Sequence, residues 1–119
     1  MVLYFYPKDD TPGCTTEACS FRDLTPDYEE KDAVILGVSA DDQASHTRFR
    51  TKYKLPFTLL SDEDFTVADQ YGASKEKMGG RKGMARSTYV INPDGVITHV
   101  YPETKASTIA QDILEKLGA

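Results

Sequence analysis

The chain begins with VLYFY (2–6), an unbroken apolar and aromatic run stopped by Pro7, which reads as a strand buried on both faces. After the polar loop PKDDTPG, the segment CTTEACSFRDL (14–24) reads as a helix. A separate helical turn is expected to begin at Thr25-Pro26, because proline is tolerated in a first turn. AVILGVSA (33–40) is a second buried strand rich in β-branched residues, QASHTRFRTKYK (43–54) suits a helix, and PFTLLS (56–61) is a short strand. DFTVADQYG (64–72) reads as a short helix with glycine after its end. The polar, glycine-rich ASKEKMGGRKGMA (73–85) reads as a mobile loop.

The clearest pattern is STYVINPDGVITHVY (87–101), two alternating runs around NPDG that predict a hairpin. Ile109, Ile113, Leu114 and Leu117 then recur at helical spacing, with Gly118 as a stop. Strands alternating with helices, followed by a hairpin and a last helix, predict an α/β fold with a mixed central sheet. The order β-α-β-α-β-α-β-β-α is compatible with a thioredoxin-like fold. No repeat, linker or low-complexity tract divides residues 1–119, so a single domain is expected.

Composition narrows the function. The net charge of −5 and pI near 4.9 argue against nucleic-acid binding and against adsorption to acidic membranes. No apolar run reaches membrane-spanning length and no signal-peptide pattern opens the chain, so a cytoplasmic protein is expected, or an organellar one after removal of a transit peptide. Two cysteines do not make a disulfide scaffold. In a reducing compartment a close pair is a candidate for catalysis or metal binding.

That pair is Cys14 and Cys19, at the start of the first helix. A helix N-terminus offers free amide donors and a positive dipole end, which favour a thiolate, the nucleophilic form of cysteine. Pro12-Gly13 is read as a sharp turn into the helix, with Asp10 and Thr11 as candidate caps. On a regular helix, five residues of offset mean about 7.5 Å of rise and about 140° of rotation. The Cα atoms then lie roughly 8.6 Å apart, beyond the limit of about 7 Å for a disulfide. A static bridge is disfavoured, and oxidation of the pair requires local unwinding. A structural disulfide, a zinc half-site and two inert thiols remain the alternatives. Against zinc, no second Cys/His pair exists, and His46 and His99 share no ligand spacing; no metal or cofactor is expected.

YFYPKDDTPGCTTEAC closely resembles the active-site segment of the Q-type (bacterioferritin-comigratory) peroxiredoxins, with Pro7, Thr11 and Cys14 meeting the pattern Pro-x-x-x-Thr-x-x-Cys. The likeness continues through ILGVSADDQASHTRF, KLPFTLLSDEDFTVADQYG and RSTYVINPDGVITHVY, nearly the whole chain in order. The resemblance implies a thioredoxin-like thiol peroxidase acting on hydrogen peroxide and organic hydroperoxides. It makes Cys14 the peroxidatic cysteine and Cys19 the resolving one, joined in an intramolecular disulfide that thioredoxin or a similar dithiol reduces. It also implies that Thr11 orients the peroxide, Pro7 shields the thiolate, and Arg86 donates to peroxide and sulfur. The basic cluster Lys75, Lys77, Arg81, Lys82 and Arg86 is otherwise read as a solvated loop, His46 receives no chemistry, and Lys8, Asp9 and Asp10 are ordinary turn residues.

Members of that family carry a segment before the strand equivalent to VLYFY, whereas this chain begins inside it. The expectation is an N-terminally truncated fold with exposed apolar surface or an open sheet edge at that strand. A monomer is expected from the family, with association possible through the uncovered side. Two rivals remain: a peroxide-sensing redox switch or binding module without efficient turnover, and a dithiol oxidoreductase, which usually carries C-x-x-C.

Overall fold

The computed structural model describes residues 1–76, 79–80 and 82–117. In chain order the first elements are β1 (Val2–Phe5), α1 (Pro12–Glu30), β2 (Ile35–Ser39), α2 (Gln43–Tyr53), β3 (Thr58–Ser61) and α3 (Thr66–Tyr71). They are followed by β4 (Ser74–Glu76), β5 (Lys82–Met84), β6 (Ser87–Ile91), β7 (Ile97–Tyr101) and α4 (Ile109–Leu117). A five-stranded mixed sheet runs in the order β3-β2-β1-β6-β7. The first three are mutually parallel, and β6 and β7 are added antiparallel.

β1 occupies the centre, which explains its unbroken apolar run. Val2, Tyr4 and Tyr6 face a core shared with Ala18, Phe21 and Tyr28 of α1, Phe49 of α2 and Ile109 and Ile113 of α4. Leu3 and Phe5 face the other way, onto Ala68 of α3, Met84 of β5 and Tyr89 of β6. Each such side chain removed from water contributes about 1.5–3 kcal/mol. Gly37 of β2 makes this packing possible: a Cβ there would stand 2.8 Å from Leu59 Cδ2 and 2.9 Å from Tyr4 Cζ.

The expected uncovered first strand is a correction. Val2 to Tyr6 are 0–6% exposed, because β6 pairs with β1 on the side away from β2 and helices cover the face. The large apolar residues that are exposed include Val96, Ile97 and Val100 at β7 and its turn, with Met1, Val34, Leu60 and Val67 scattered elsewhere. A second correction concerns Pro26, which does not open a new turn but sits inside a continuous α1. Its missing N–H leaves the Arg22 carbonyl without its helical donor. The helix persists because Phe21 and Tyr28 are buried on either side, and the Tyr28 hydroxyl donates to the Ala110 carbonyl at 2.6 Å.

The third correction is the segment 73–85. Ser74–Glu76 and Lys82–Met84 pair antiparallel, tied by the buried Ala73 and Met84 and by an Ala85 N–H to Ala73 carbonyl bond of 2.6 Å. Lys77, Arg81 and Gly118 lie outside the described residues. The predicted hairpin at 87–101 forms as read, with the Asn92 side-chain carbonyl accepting from the amides of Asp94 and Val96 at 3.0 Å each.

Candidate active site

Cys14 stands third in α1, after Pro12 and Gly13, and is 1% exposed. The first helical hydrogen bond runs from the Thr15 amide to the Thr11 carbonyl at 2.8 Å. The amides of Gly13 and Cys14 therefore precede the helical ladder and have no acceptor within it, while Pro12 has no N–H at all. Thr11 is the residue at which the helix begins, yet its side chain does not cap it. Its hydroxyl donates to the Lys8 carbonyl at 2.9 Å, leaving its lone pairs as acceptors. α1 has no acidic residue in its first turn, so nothing there opposes an anion.

Arg86, between β5 and β6, comes to Cys14 across 72 positions of sequence. Nη2 donates to Cys14 Sγ at 3.2 Å, and Nη1 donates to Glu17 Oε1 at 2.8 Å. Gly13 makes the approach possible: a Cβ there would stand 3.1 Å from Arg86 Nη2. Its role is thus space rather than the sharp turn expected of it, since it lies within the helix.

Glu17 is the member of this cluster that the sequence reading missed. It is fully buried, and burial pushes its carboxyl up to about 7 against the opposing charge and hydrogen bond of Arg86. Its second oxygen and the Tyr4 hydroxyl are buried without a hydrogen-bond partner among the described residues. Burial, then the charges of Glu17 and Cys14, hold Tyr4 well above the usual tyrosine range. A signal for Glu17 was present. Cys14, Glu17, Ala18 and Phe21 share the buried face of α1, so a carboxylate falls on an apolar stripe.

Of the other residues singled out, Pro7 is half-buried two residues past β1, and Cys19 is half-buried further along α1. Both cysteines are free thiols within one continuous helix. Among the described residues no group of His, Cys, Asp and Glu could hold a metal ion. His46 and Asp9, given no chemistry above, are joined by a contact of 2.7 Å.

A buried cysteine at a helix start, an arginine on its sulfur and a second thiol on the same helix come together on a mixed α/β sheet, the arrangement expected of a thiol peroxidase. Residues 1–100 match the AhpC/TSA family. The chain belongs to that family, among the Q-type or Bcp peroxiredoxins. It is 43% identical to peroxiredoxin Bcp of Bacillus subtilis over 98% of this chain and 76% of the relative. It is 48% identical to the chloroplastic peroxiredoxin Q of Arabidopsis thaliana over 84% of this chain, and spans under half of that longer protein, 45%. The solved structure of the Xanthomonas campestris bacterioferritin comigratory protein superposes with a TM-score of 0.92 at 39% identity, covering 98% of this chain and 76% of that one. A cysteine variant of Xylella fastidiosa PrxQ gives 0.94 at 41%, covering 98% and 74%. No described helix is long and apolar enough to cross a membrane.

Proposed function

We propose that this chain reduces hydrogen peroxide and small organic hydroperoxides through Cys14, with Cys19 resolving the product. The observation that carries the reading is the buried Cys14 sulfur, 3.2 Å from Arg86 Nη2 beside the free amides that open α1. The Xanthomonas campestris relative, studied for alkyl peroxide reduction, supports the same substrate class.

The thiolate attacks one peroxide oxygen, forming an S–O bond as the O–O bond breaks, and the departing oxygen takes a proton to leave as water or alcohol. Arg86 keeps the sulfur charged and offers its remaining N–H groups to the peroxide oxygens as charge builds on them. The Thr11 hydroxyl, donating to Lys8, accepts from the peroxide O–H. Pro7 keeps water from the sulfur. α1 then opens, the Cys19 thiol attacks the sulfenic acid, and water leaves as the disulfide forms. Thioredoxin or a similar dithiol supplies two electrons and two protons to restore both thiols. Residues 1–119 are read as one domain acting as a monomer in a reducing compartment.

Stopped-flow mixing with peroxide, followed by thioredoxin-coupled turnover, tests this. Cys14→Ser should abolish peroxide consumption. Cys19→Ser should keep the first oxidation but strand the sulfenic acid, which then over-oxidises. Multiple turnovers by both variants would show that the roles are misassigned.

A further inference from the structure

The five residues Pro7–Thr11 carry two side chains proposed above for the peroxide site, and Asp9 stands at their middle. The Asp9 carboxylate is buried and meets three partners. The Tyr6 hydroxyl donates to Oδ1 at 2.6 Å, while Oδ2 receives the Ser45 hydroxyl at 2.8 Å and faces His46 Nδ1 at 2.7 Å. The Asp9 amide donates to Asp41 Oδ2 at 2.8 Å, an oxygen that also accepts from the Ser39 hydroxyl at 2.7 Å. His46 is 3% exposed, and its Nε2 stands 3.0 Å from the Leu60 carbonyl.

A carbonyl only accepts, so Nε2 carries a proton. A neutral ring would then turn the Nδ1 lone pair onto a carboxylate oxygen, setting two acceptors against each other at 2.7 Å. The count closes when a proton lies between them, and because Asp9 also accepts from Tyr6 and Ser45, which favours its ionised form, that proton is assigned to the ring, an imidazolium facing a carboxylate. The surroundings agree. The ring faces Asp9 from the loop, Asp41 from the turn after β2, the Leu60 carbonyl from β3 and the Tyr6 hydroxyl just past β1. Burial works against the cation, but the hydrogen bond and charge of Asp9 outweigh it and hold His46 above its ordinary value.

We propose that the buried His46–Asp9 pair is a clasp that fixes the Pro7–Thr11 loop to α2 and β3. Resting on the peroxidase reading, it sets how fast Cys14 meets peroxide against how fast α1 opens toward Cys19. The linkage is direct: Thr11 provides both the first helical acceptor of α1 and the hydroxyl of the peroxide site, and its own donor reaches Lys8, next to Asp9. A second anchor at Asp10, to Lys52 Nζ at 2.8 Å and the Tyr53 hydroxyl at 2.9 Å, is exposed and binds the same helix α2. His46 and Asp9 are positioning residues, since neither touches the sulfur. Releasing them displaces Thr11 and Pro7, and it also loosens the first turn of α1. Oxidation slows while resolution quickens.

The test uses the full chain with His46→Gln, which can still donate to Leu60 but brings no cation to Asp9, and with Asp9→Asn. In single-turnover stopped flow, the rate of Cys14 oxidation should fall between about tenfold and a hundredfold. The rate of disulfide formation should rise, and less Cys14 should over-oxidise at high peroxide. Nitrogen-15 spectra of the wild-type ring should show both His46 nitrogens protonated at neutral pH, a readout that needs no activity and no variant. A neutral His46 ring, or variants in which both phases fall together or stay unchanged, would overturn the clasp. A wild-type chain that forms no sulfenic acid would instead overturn the peroxidase reading, while the ring spectra still decide the ion pair.

Discussion

Glu17→Gln isolates the cost of keeping a carboxyl beside the reactive thiol. Glu17 is fully enclosed, and burial raises it from 4.5 to about 7 although Arg86 pulls the other way. At 1.36 kcal/mol per pH unit, ionising it in place costs about 3 kcal/mol of folding stability. The sign follows from the raised value in the folded state. The stabilisation is complete below pH 4.5, is lost as pH rises toward 7, and changes no further above that. Glutamine keeps a carbonyl oxygen for Arg86 Nη1 but cannot ionise, so its stability should lack this decline. Urea unfolding of the reduced proteins at a series of pH values gives the wild-type-minus-variant difference, which should shift by about 3 kcal/mol in the variant's favour across that window. His46 is also raised, so its contribution is lost as pH rises above 6.5; it is common to both proteins and cancels in the difference. A difference that stays flat with pH would refute the claim that burial raises the Glu17 carboxyl.

Arg86→Lys keeps a charge but cannot reach Cys14 and Glu17 together from one planar fork, so Cys14 oxidation should slow by about 10²–10³-fold in stopped flow, with the urea midpoint little changed. Gly13→Ala separates activity from stability: alanine improves the helix by roughly 0.5–1 kcal/mol. Its Cβ nevertheless falls 3.1 Å from Arg86 Nη2 and should displace the guanidinium, so the melting temperature should hold or rise while peroxide reactivity falls. Gly37→Ala should behave in the opposite way, forcing Leu59 and Tyr4 apart and lowering stability in urea by about 1–3 kcal/mol.

What could be read from the chain alone depended on how local the cause was. The β1 run is apolar because both sides of the central strand are packed, and that shows in five adjacent letters. The 92–95 turn is equally local, with Asn92 accepting from amides two and four residues on and Gly95 at a φ of +83°. Pro26 defeated the local rule, because the burial of Phe21 and Tyr28 carries α1 past a residue that would end an isolated helix. β4 and β5 are three residues each and contain lysine and glycine, so neither has a period to detect; they pair because Ala73 and Met84 are buried. At the site, Pro7, Thr11, Cys14 and Cys19 lie within one motif, and Arg86 was found by its matched context. The Asp9–His46 pair spans 37 positions and depends on how the sheet sets α2 beside the loop, which no spacing rule encodes.

On the proposed mechanism, the helix that presents Cys14 is also the one that has to open, and its composition divides at the point where the two demands meet. Its first turn has no side-chain cap, no acidic residue and no amide at Pro12. The hydroxyls of Thr16 and Ser20 reach back to carbonyls four residues earlier, at 3.0 and 2.9 Å, contacts that slightly weaken and bend a helix. A capping carboxylate would strengthen this end by about 0.5–2 kcal/mol, but it would occupy the amides and place a negative charge where the Cys14 sulfur needs a positive field. The absence that suits the thiolate therefore also lowers the cost of unwinding. From Phe21 onward Thr25 back-bonds in the same way and Pro26 lacks an amide, but tertiary packing holds the helix. Phe21 stacks on Tyr4 with ring centroids 4.8 Å apart, and Tyr28 is tied to α4 through Ala110. In the proposed mechanism this anchoring directs opening to the turns that contain both cysteines, and the half-buried Cys19 sits just before the anchored part. Five residues of spacing place one thiol in the soft end of the helix and the other at its boundary, so the distance that forbids a bridge in the closed helix is also the length of chain that can open to make one.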